Sequence, residues 1–541
     1  MAKDSLVKGT LILAVAALVA RALGLVQRVP LEHLLGKDGS GMFGQANNAY
    51  LALLVIATAG IPSALSKLVS ERMELGRHRE AQDLFRASVL FALAAGVVLT
   101  AGLYLLAPWY AEFSRVPDSA AAIRAISPTL LLFPLIAMLR GYFQGNRMMM
   151  PGGISQIVEQ LIRVAAALAL AGVLLGLGFS VPVAAAGAAF GSVIGGVAAL
   201  AVMLYYYRKL RREQAAKSGR GTADETRLRT GEAYKLILRI SVPITLFSLA
   251  VPLLYMLDSS LLGPLLAPQM GEQRAAEWLG ILTGRAQPIA GLPIILAVAL
   301  SQSVIPVISS AYAKGDADEV ARQTSLCLRL SLLSGLPAVV ALSVAAEPLT
   351  GFLYTDAEGA GMVSLLTAGT IFQILMMTTG AILMGLGRVN ACVAFVGIGL
   401  AVKLAALYAL TPLLGPNGIP VSTSLCFAVA SVLNLWYLRR MVAYRVFGVR
   451  WVGLIATVLG MSAAGHALLQ LAEEAFGGGN QYLHDGFALA LSGGVMLLLY
   501  PVLLGVTGVV TKADAAAFPP RVRRLIGRFV KLPEAGKGTA T

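Results

Sequence analysis

The stretch VPVAAAGAAFGSVIGGVAALAVMLYYY at 181–207, followed at once by RKLRRE at 208–213, decides the fold class. An uncharged apolar run is met abruptly by a cluster of cations. A hydrocarbon core of roughly 30 Å is crossed by about 20 helical residues, and this run is long enough. Working outward, stretches of the same kind recur about fourteen times. They are bracketed at 6–30, 43–67, 87–108, 121–143, 154–178, 181–207, 235–262, 279–311, 326–346, 361–386, 391–412, 418–438, 451–473 and 486–510. The expectation is an all-α polytopic membrane protein of about 14 transmembrane helices.

The gaps set an orientation. Lys3 and Lys8, Lys67 to Arg86, Arg147, the run from Arg208 to Arg229, Lys314/Arg322, Arg388, Arg439 to Arg450 and the tail from Lys512 to Lys537 share one side if the spans alternate. The other side holds Glu32/Asp38, Glu112/Asp118, Glu272/Glu277, Asp356/Glu358 and Glu473/Glu474/Asp485. The positive-inside rule makes the basic side cytoplasmic, so both termini are expected inside a cell (plasma) membrane. Charged residues are only 13% of the chain against 57% hydrophobic, well below the charge of a soluble domain. The net charge of +15 therefore reads as topology signal and attraction to anionic membrane lipid, not as a nucleic-acid surface. The first apolar stretch contains Arg21 and Arg28 and lacks a cleavage site, so it is expected to be retained.

An internal duplication organises the spans. Ile61-Pro62 recurs as Ile305-Pro306, and the Gly141–Arg147 segment recurs near Gly380–Arg388, both at an offset of about 240 residues. An even-numbered unit repeats in parallel, about an axis along the membrane normal. The expected divisions are an N-lobe at 1–207 (spans one to six), a basic cytoplasmic linker at 208–234 and a C-lobe at 235–441 (spans seven to twelve). Spans thirteen and fourteen follow at 442–510, then a basic cytoplasmic tail at 511–541. That tail reads equally as an amphipathic helix or as a disordered polar segment.

Polar groups inside spans are the candidate binding residues, because each charge at a helix centre costs about 2.5–3.5 kcal/mol on insertion scales. Arg21 and Arg28 lie seven residues apart, almost on one face, with Gly24 leaving room between them. Two cations on one stripe suit a polyanion; Arg28 reads equally as snorkelling to the interface. Gln156, Glu159, Gln160 and Arg163 form a stripe on span five. It reads as a ligand contact or as a Glu159–Arg163 pair that holds helices together. Span seven carries Ser241, Thr245, Ser248, Tyr255 and Ser259 on one face with Asp258 close by, broken by Pro243 and Pro252. Arg285 and Lys403 would add positive charge from the second half, Lys403 being free to snorkel. Gly187, Gly191 and Gly195 read as close helix packing.

No phosphate loop, paired histidine ligands or catalytic constellation is present, so no enzyme, cofactor or metal is expected. Cys327, Cys392 and Cys426 have no ligand spacing and imply no disulfide framework.

The run Arg21-Ala-Leu-Gly24-Leu-Val-Gln-Arg28-Val-Pro30, with Gly60-Ile61-Pro62-Ser63-Ala64-Leu65-Ser66-Lys67, Arg140-Gly141-Tyr142-Phe143-Gln144-Gly145 and Ser155-Gln156-Ile-Val-Glu159-Gln160-Leu-Ile-Arg163, resembles the stage V sporulation protein B branch of polysaccharide exporters. That branch lies in the multidrug/oligosaccharidyl-lipid/polysaccharide (MOP) flippase superfamily, together with the MurJ lipid II flippases. The resemblance covers nearly the whole chain. It implies paired lobes around a cavity, alternating access and a lipid-linked sugar as cargo. MurJ-type cavity arginines come from spans one, two and eight; Arg21 and Arg285 occupy similar places, while Leu51 to Ala59 on span two contains none. The last two spans are implied to form a groove for a polyprenyl tail.

The leading expectation is a flippase moving a polyprenyl-diphosphate-linked saccharide, lipid II or a related precursor of peptidoglycan, spore cortex or other cell-wall glycan, with envelope glycan synthases as candidate partners. A cation-coupled multidrug exporter of the same superfamily is the first alternative, and would want an acidic cavity. A membrane scaffold without transport is the second.

Overall fold

The computed structural model describes residues 6–58, 60–217, 228–295, 308–476 and 480–509. Helices follow one another throughout: α1 (Leu6–Thr58), α2 (Ile61–Glu74), α3 (His78–Phe113), α4 (Ser119–Ile126), α5 (Thr129–Gly145), α6 (Met150–Gly176), α7 (Val181–Lys217), α8 (Thr230–Ser248), α9 (Ala250–Met270) and α10 (Glu272–Gly280). A π-helical turn at Ile281–Ala286 leads into α11 (Gln287–Ala290). Then come α12 (Ala317–Val344), α13 (Ala346–Tyr354), α14 (Ala360–Gly385), α15 (Val389–Leu414), α16 (Gly418–Met441), α17 (Trp451–Phe476) and α18 (Gln481–Val506). Among the described residues, eleven helical stretches are long and apolar enough to cross a membrane. Two of them run for 53 residues. One is broken at Gly36, whose φ of 70° and ψ of −178° only glycine adopts readily, and the other at Gly415 with φ 56°.

The outward faces are apolar. Val98 is 67% exposed, Leu105 72%, Val452 72% and Leu413 79%, a distribution that suits hydrocarbon and not water. The chain is thus an all-helical multi-pass membrane protein.

Packing divides the described residues into two units, 1–284 and 285–541. The first is built on α6 against α7 and α1 against α6, with α2, α3 and α5 closing a core of Leu65, Leu84, Ile136, Phe143 and Met203. Helices α8 and α9 pack with this unit, through Ala233 and Ile237 in the core and α9 against α1. Division by contact thus falls after α10, whereas the division expected from sequence recurrence lies at 208–234; the two rest on different criteria. In the second unit α14 and α15 flank α16, and α17 and α18 pair with each other and lean on α12 through Leu332, Leu336, Met461 and Met496. The Tyr500 hydroxyl donates to the Leu333 carbonyl at 2.8 Å and fixes α18 to α12.

Contacts between connections follow the alternation read from charge. In the first unit Arg147 pairs with Glu74, joining two basic gaps, and Arg115 pairs with Glu272 at 3.3 Å, joining two acidic ones. In the second, the Arg445 backbone N–H donates to Ser325 Oγ at 3.0 Å at the basic end, and Phe352 stacks on Tyr482 at 4.8 Å at the other. The expected glycine packing is also present. A Cβ on Gly195 of α7 would lie 2.8 Å from the Glu159 carbonyl oxygen and 2.8 Å from Arg163 Cβ, so only glycine lets α7 back the polar stripe of α6 so closely. Cys327, Cys392 and Cys426 are buried and belong to no disulfide among the described residues. Ile305-Pro306, the polar run Ser301-Gln302-Ser303 and the basic tail lie outside the described residues.

Candidate functional site

The polar stripe of α6 turns inward within the first unit. Gln156, Glu159, Gln160 and Arg163 share one face by helical spacing, and α1 and α5 cover it. Glu159 is 7% exposed and its Oε2 accepts from Arg140 Nη2 of α5 at 2.8 Å. The same guanidinium donates to Ser155 Oγ at 2.8 Å and 3.2 Å, gripping two positions one turn apart on α6. Of the two readings of the stripe, the structural one pairs Glu159 with Arg163. Arg163 instead donates through Nη2 to Gln160 Oε1 at 2.6 Å, because α5 brings a planar fork to the carboxylate from across the helix interface.

This exchange sets the electrostatics. Arg140 and Glu159 cancel, whereas the charge of Arg163 is met here by an amide dipole, so the cluster stays positive. Three donors in it make no protein hydrogen bond among the described residues: Arg163 Nε, Gln160 Nε2 and the Tyr50 hydroxyl. Tyr50 is 1% exposed, with its ring edge-on to Phe133 at 5.9 Å. A buried donor without an acceptor costs about 1–3 kcal/mol, and an anion arriving at the cluster would recover it.

Helix α1 completes the arrangement. A Cβ on Gly24 would lie 3.2 Å from Gln160 Nε2 and 3.9 Å from Arg163 Nη2, so the Gly24 face of α1 is laid on the α6 stripe. Arg28 is half-buried, with its guanidinium 4.9 Å above the centre of the Phe43 ring. Gln156 is half-buried. The Arg21 backbone belongs to α1, and its side chain lies outside the described residues.

In the second unit Arg285 is 1% exposed and is held by the connection between α13 and α14. Nη1 and Nη2 grip Asp356 Oδ1 and Oδ2 at 2.7 and 3.0 Å, Nη1 also reaches the Glu358 carbonyl at 2.8 Å, and the Tyr354 ring lies 4.7 Å away. Lys403 on α15 is fully buried and does not snorkel; Nζ donates to Thr423 Oγ1 of α16 at 2.6 Å.

The structure thus gathers Gly24, Arg28, Gln156, Glu159, Gln160 and Arg163 in one unit and places Arg285 and Lys403 separately in the other. Sequence reasoning missed Arg140 and Tyr50 as members. Arg140 stands in the Arg-Gly-Tyr-Phe-Gln-Gly run, 15 and 19 residues before its partners, a spacing that a short α5–α6 hairpin brings opposite. The polar residues expected on one face of span seven divide between α8, where Ser241 is buried and Ser248 exposed, and α9, where Ser259 is buried and Tyr255 half-buried; Asn48 Nδ2 reaches the Tyr255 carbonyl at 3.4 Å, and the neighbouring Ser260 bonds Tyr110 at 2.7 Å. Among the described residues no cluster of His, Cys, Asp and Glu could hold a metal ion.

Known proteins match this chain along most of its length. The family model described as polysaccharide biosynthesis protein matches residues 6–312, and the MatE model matches 243–409. The uncharacterized membrane protein YabM of Bacillus subtilis is 30% identical over 80% of this chain and 80% of its own. From the same organism, lipid II flippase MurJ is 27% identical over 82% of this chain and 84% of its own, and stage V sporulation protein B is 27% identical over 80% and 83%. Among solved structures, a lipid II flippase MurJ in an inward closed conformation superposes with a TM-score of 0.63 at 14% identity, over 91% of this chain and 98% of that one. An inward-facing multidrug resistance MATE family transporter of the MOP superfamily gives 0.64 at 16% identity, over 78% and 94%. These two share the fold. The resemblance read from the sequence motifs is borne out, and the chain belongs to the polysaccharide biosynthesis protein family within the MOP flippase superfamily, alongside MurJ and stage V sporulation protein B.

Proposed function

We propose that this protein flips a polyprenyl-diphosphate-linked saccharide across the cell membrane by alternating access, with the basic end in the cytoplasm. The observation that carries the reading is the packing of Gly24 of α1 on the α6 stripe, where Arg163 and Gln160 keep donors that no group among the described residues accepts. A diphosphate cannot leave water unaided, and fixed guanidinium and amide donors replace its hydration. In this reading Arg21, Arg28 and Arg163 receive the negative charge, Gln156 and Gln160 orient it, and Glu159, clamped by Arg140, keeps the α6 face in place. Within the second unit Arg285 is held by Asp356 and Lys403 by Thr423. An inside-negative potential favours outward movement of net negative charge by about 2.3 kcal/mol per charge per 100 mV. The lipid II flippase MurJ among the relatives supports the cargo class, and the last two spans, α17 and α18, are the proposed seat of the polyprenyl tail.

The match to the MatE model favours a second reading, a cation-coupled multidrug exporter. That activity needs an unneutralised carboxylate to carry the coupling ion, and in the first cluster Glu159 is already engaged by Arg140. Reconstitution separates the two. In liposomes loaded with a fluorescent polyprenyl-diphosphate saccharide, the protein should expose the headgroup to a quencher faster than empty vesicles do. Absence of any protein-dependent movement, together with gradient-driven efflux of a cationic drug, would overturn the first reading.

A further inference from the structure

On the lipid-facing side of the first unit, α3, α5 and α7 leave a groove of about 590 Å³. Leu135, Leu139, Leu200 and Leu204 form its walls, and Phe85 and Tyr207, 5.4 Å apart, close one end. Its surroundings are open: Leu90 is 56% exposed and Leu204 37%. The closed end lies at the basic end of the unit, where Tyr205, Tyr206 and Tyr207 precede Arg208 and mark a membrane–water interface.

Two arginines stand beside Tyr207. Arg86 is the charged member of the groove lining; its side chain is 64% exposed and is only loosely paired, with Asp83 at 3.8 Å. The Arg211 guanidinium lies 6.0 Å from the Tyr207 ring centre. We propose that this groove is a binding site for an anionic glycerophospholipid of the leaflet at the basic end, with an acyl chain along the leucines and the phosphate between Arg86 and Arg211. Apolar walls facing hydrocarbon accept any chain and select none. Selectivity comes from the arginines, because basic pockets between helices at the interface hold anionic headgroups. The site is separate from the Glu159 cluster, which faces α1, so it stands or falls independently of the transport reading.

The test uses the full-length protein in detergent and reads its thermal midpoint with phosphatidylglycerol or phosphatidylcholine of identical chains. Phosphatidylglycerol should raise the midpoint further than phosphatidylcholine. The double variant Arg86→Gln, Arg211→Gln, changed at exposed positions that do not hold the fold, should lose that difference and keep the phosphatidylcholine response. Leu204→Trp, which fills the groove from its lipid side, should weaken both responses. Equal responses to the two lipids, or a preference that survives the double variant, would overturn the proposal. So would the same loss in Arg439→Gln, Arg440→Gln in the second unit, which would make the effect general surface charge. A larger response to undecaprenyl phosphate that Leu204→Trp abolishes would assign the groove to a prenyl chain instead.

Discussion

The choice of partner for Glu159 is open to direct measurement. With Arg140 Nη2 at 2.8 Å and the carboxylate side chain 9% exposed, the pair is nearly unscreened. Removing one member of such a buried pair strands the other, which costs about 3–5 kcal/mol, whereas removing both leaves no unpaired charge and costs less than the two single changes added together. Arg140→Gln and Glu159→Gln should therefore each destabilise by about 3 kcal/mol. The double variant should fall well short of the sum, with a coupling of about 1–3 kcal/mol. Glu159→Gln combined with Arg163→Gln should instead be additive to within about 0.5 kcal/mol, because Arg163 bonds Gln160. Unfolding of the purified protein in micelles, followed by tryptophan fluorescence, gives all the free energies needed for both cycles. Coupling found in the 159/163 cycle and absent from the 140/159 cycle would refute the assignment.

Arg163→Ala should abolish flipping at unchanged membrane insertion, and Arg163→Lys should restore only part of it, since lysine keeps the charge and loses the fork; quencher-accessibility rates in liposomes measure both. Asp356→Ala should destabilise more than Arg285→Ala does through its stranded partner, because Arg285 is 1% exposed and Asp356 41%; thermal midpoints of the two variants check the order. Gly195→Leu should push α7 off α6 and lower stability by about 1–3 kcal/mol, read from the same unfolding curves. A cysteine at Gly219 should be shielded from an impermeant thiol reagent in intact cells and one at Gly478 labelled; the reverse pattern would invert the orientation.

What the sequence determined by itself is whatever the bilayer enforces locally. In hydrocarbon a segment must satisfy its own backbone, so an apolar run such as 181–207 can only be a helix, and the cations from Arg208 onward can only lie at its end. The stripe on α6 was legible for the same reason, since spacings of three, four and seven residues fix a shared face before any tertiary contact forms. The glycines of α7 announced close packing because they lack side chains. The tertiary structure decided who meets whom. Arg285 finds Asp356 71 residues away, Lys403 ends on Thr423 instead of reaching for the interface, Glu159 takes Arg140 over the arginine one turn along its own helix, and α8 and α9 join the first unit. Each of these depends on which helices lie side by side, which is set by surface shape summed over whole helices, and no local pattern of residues encodes that sum.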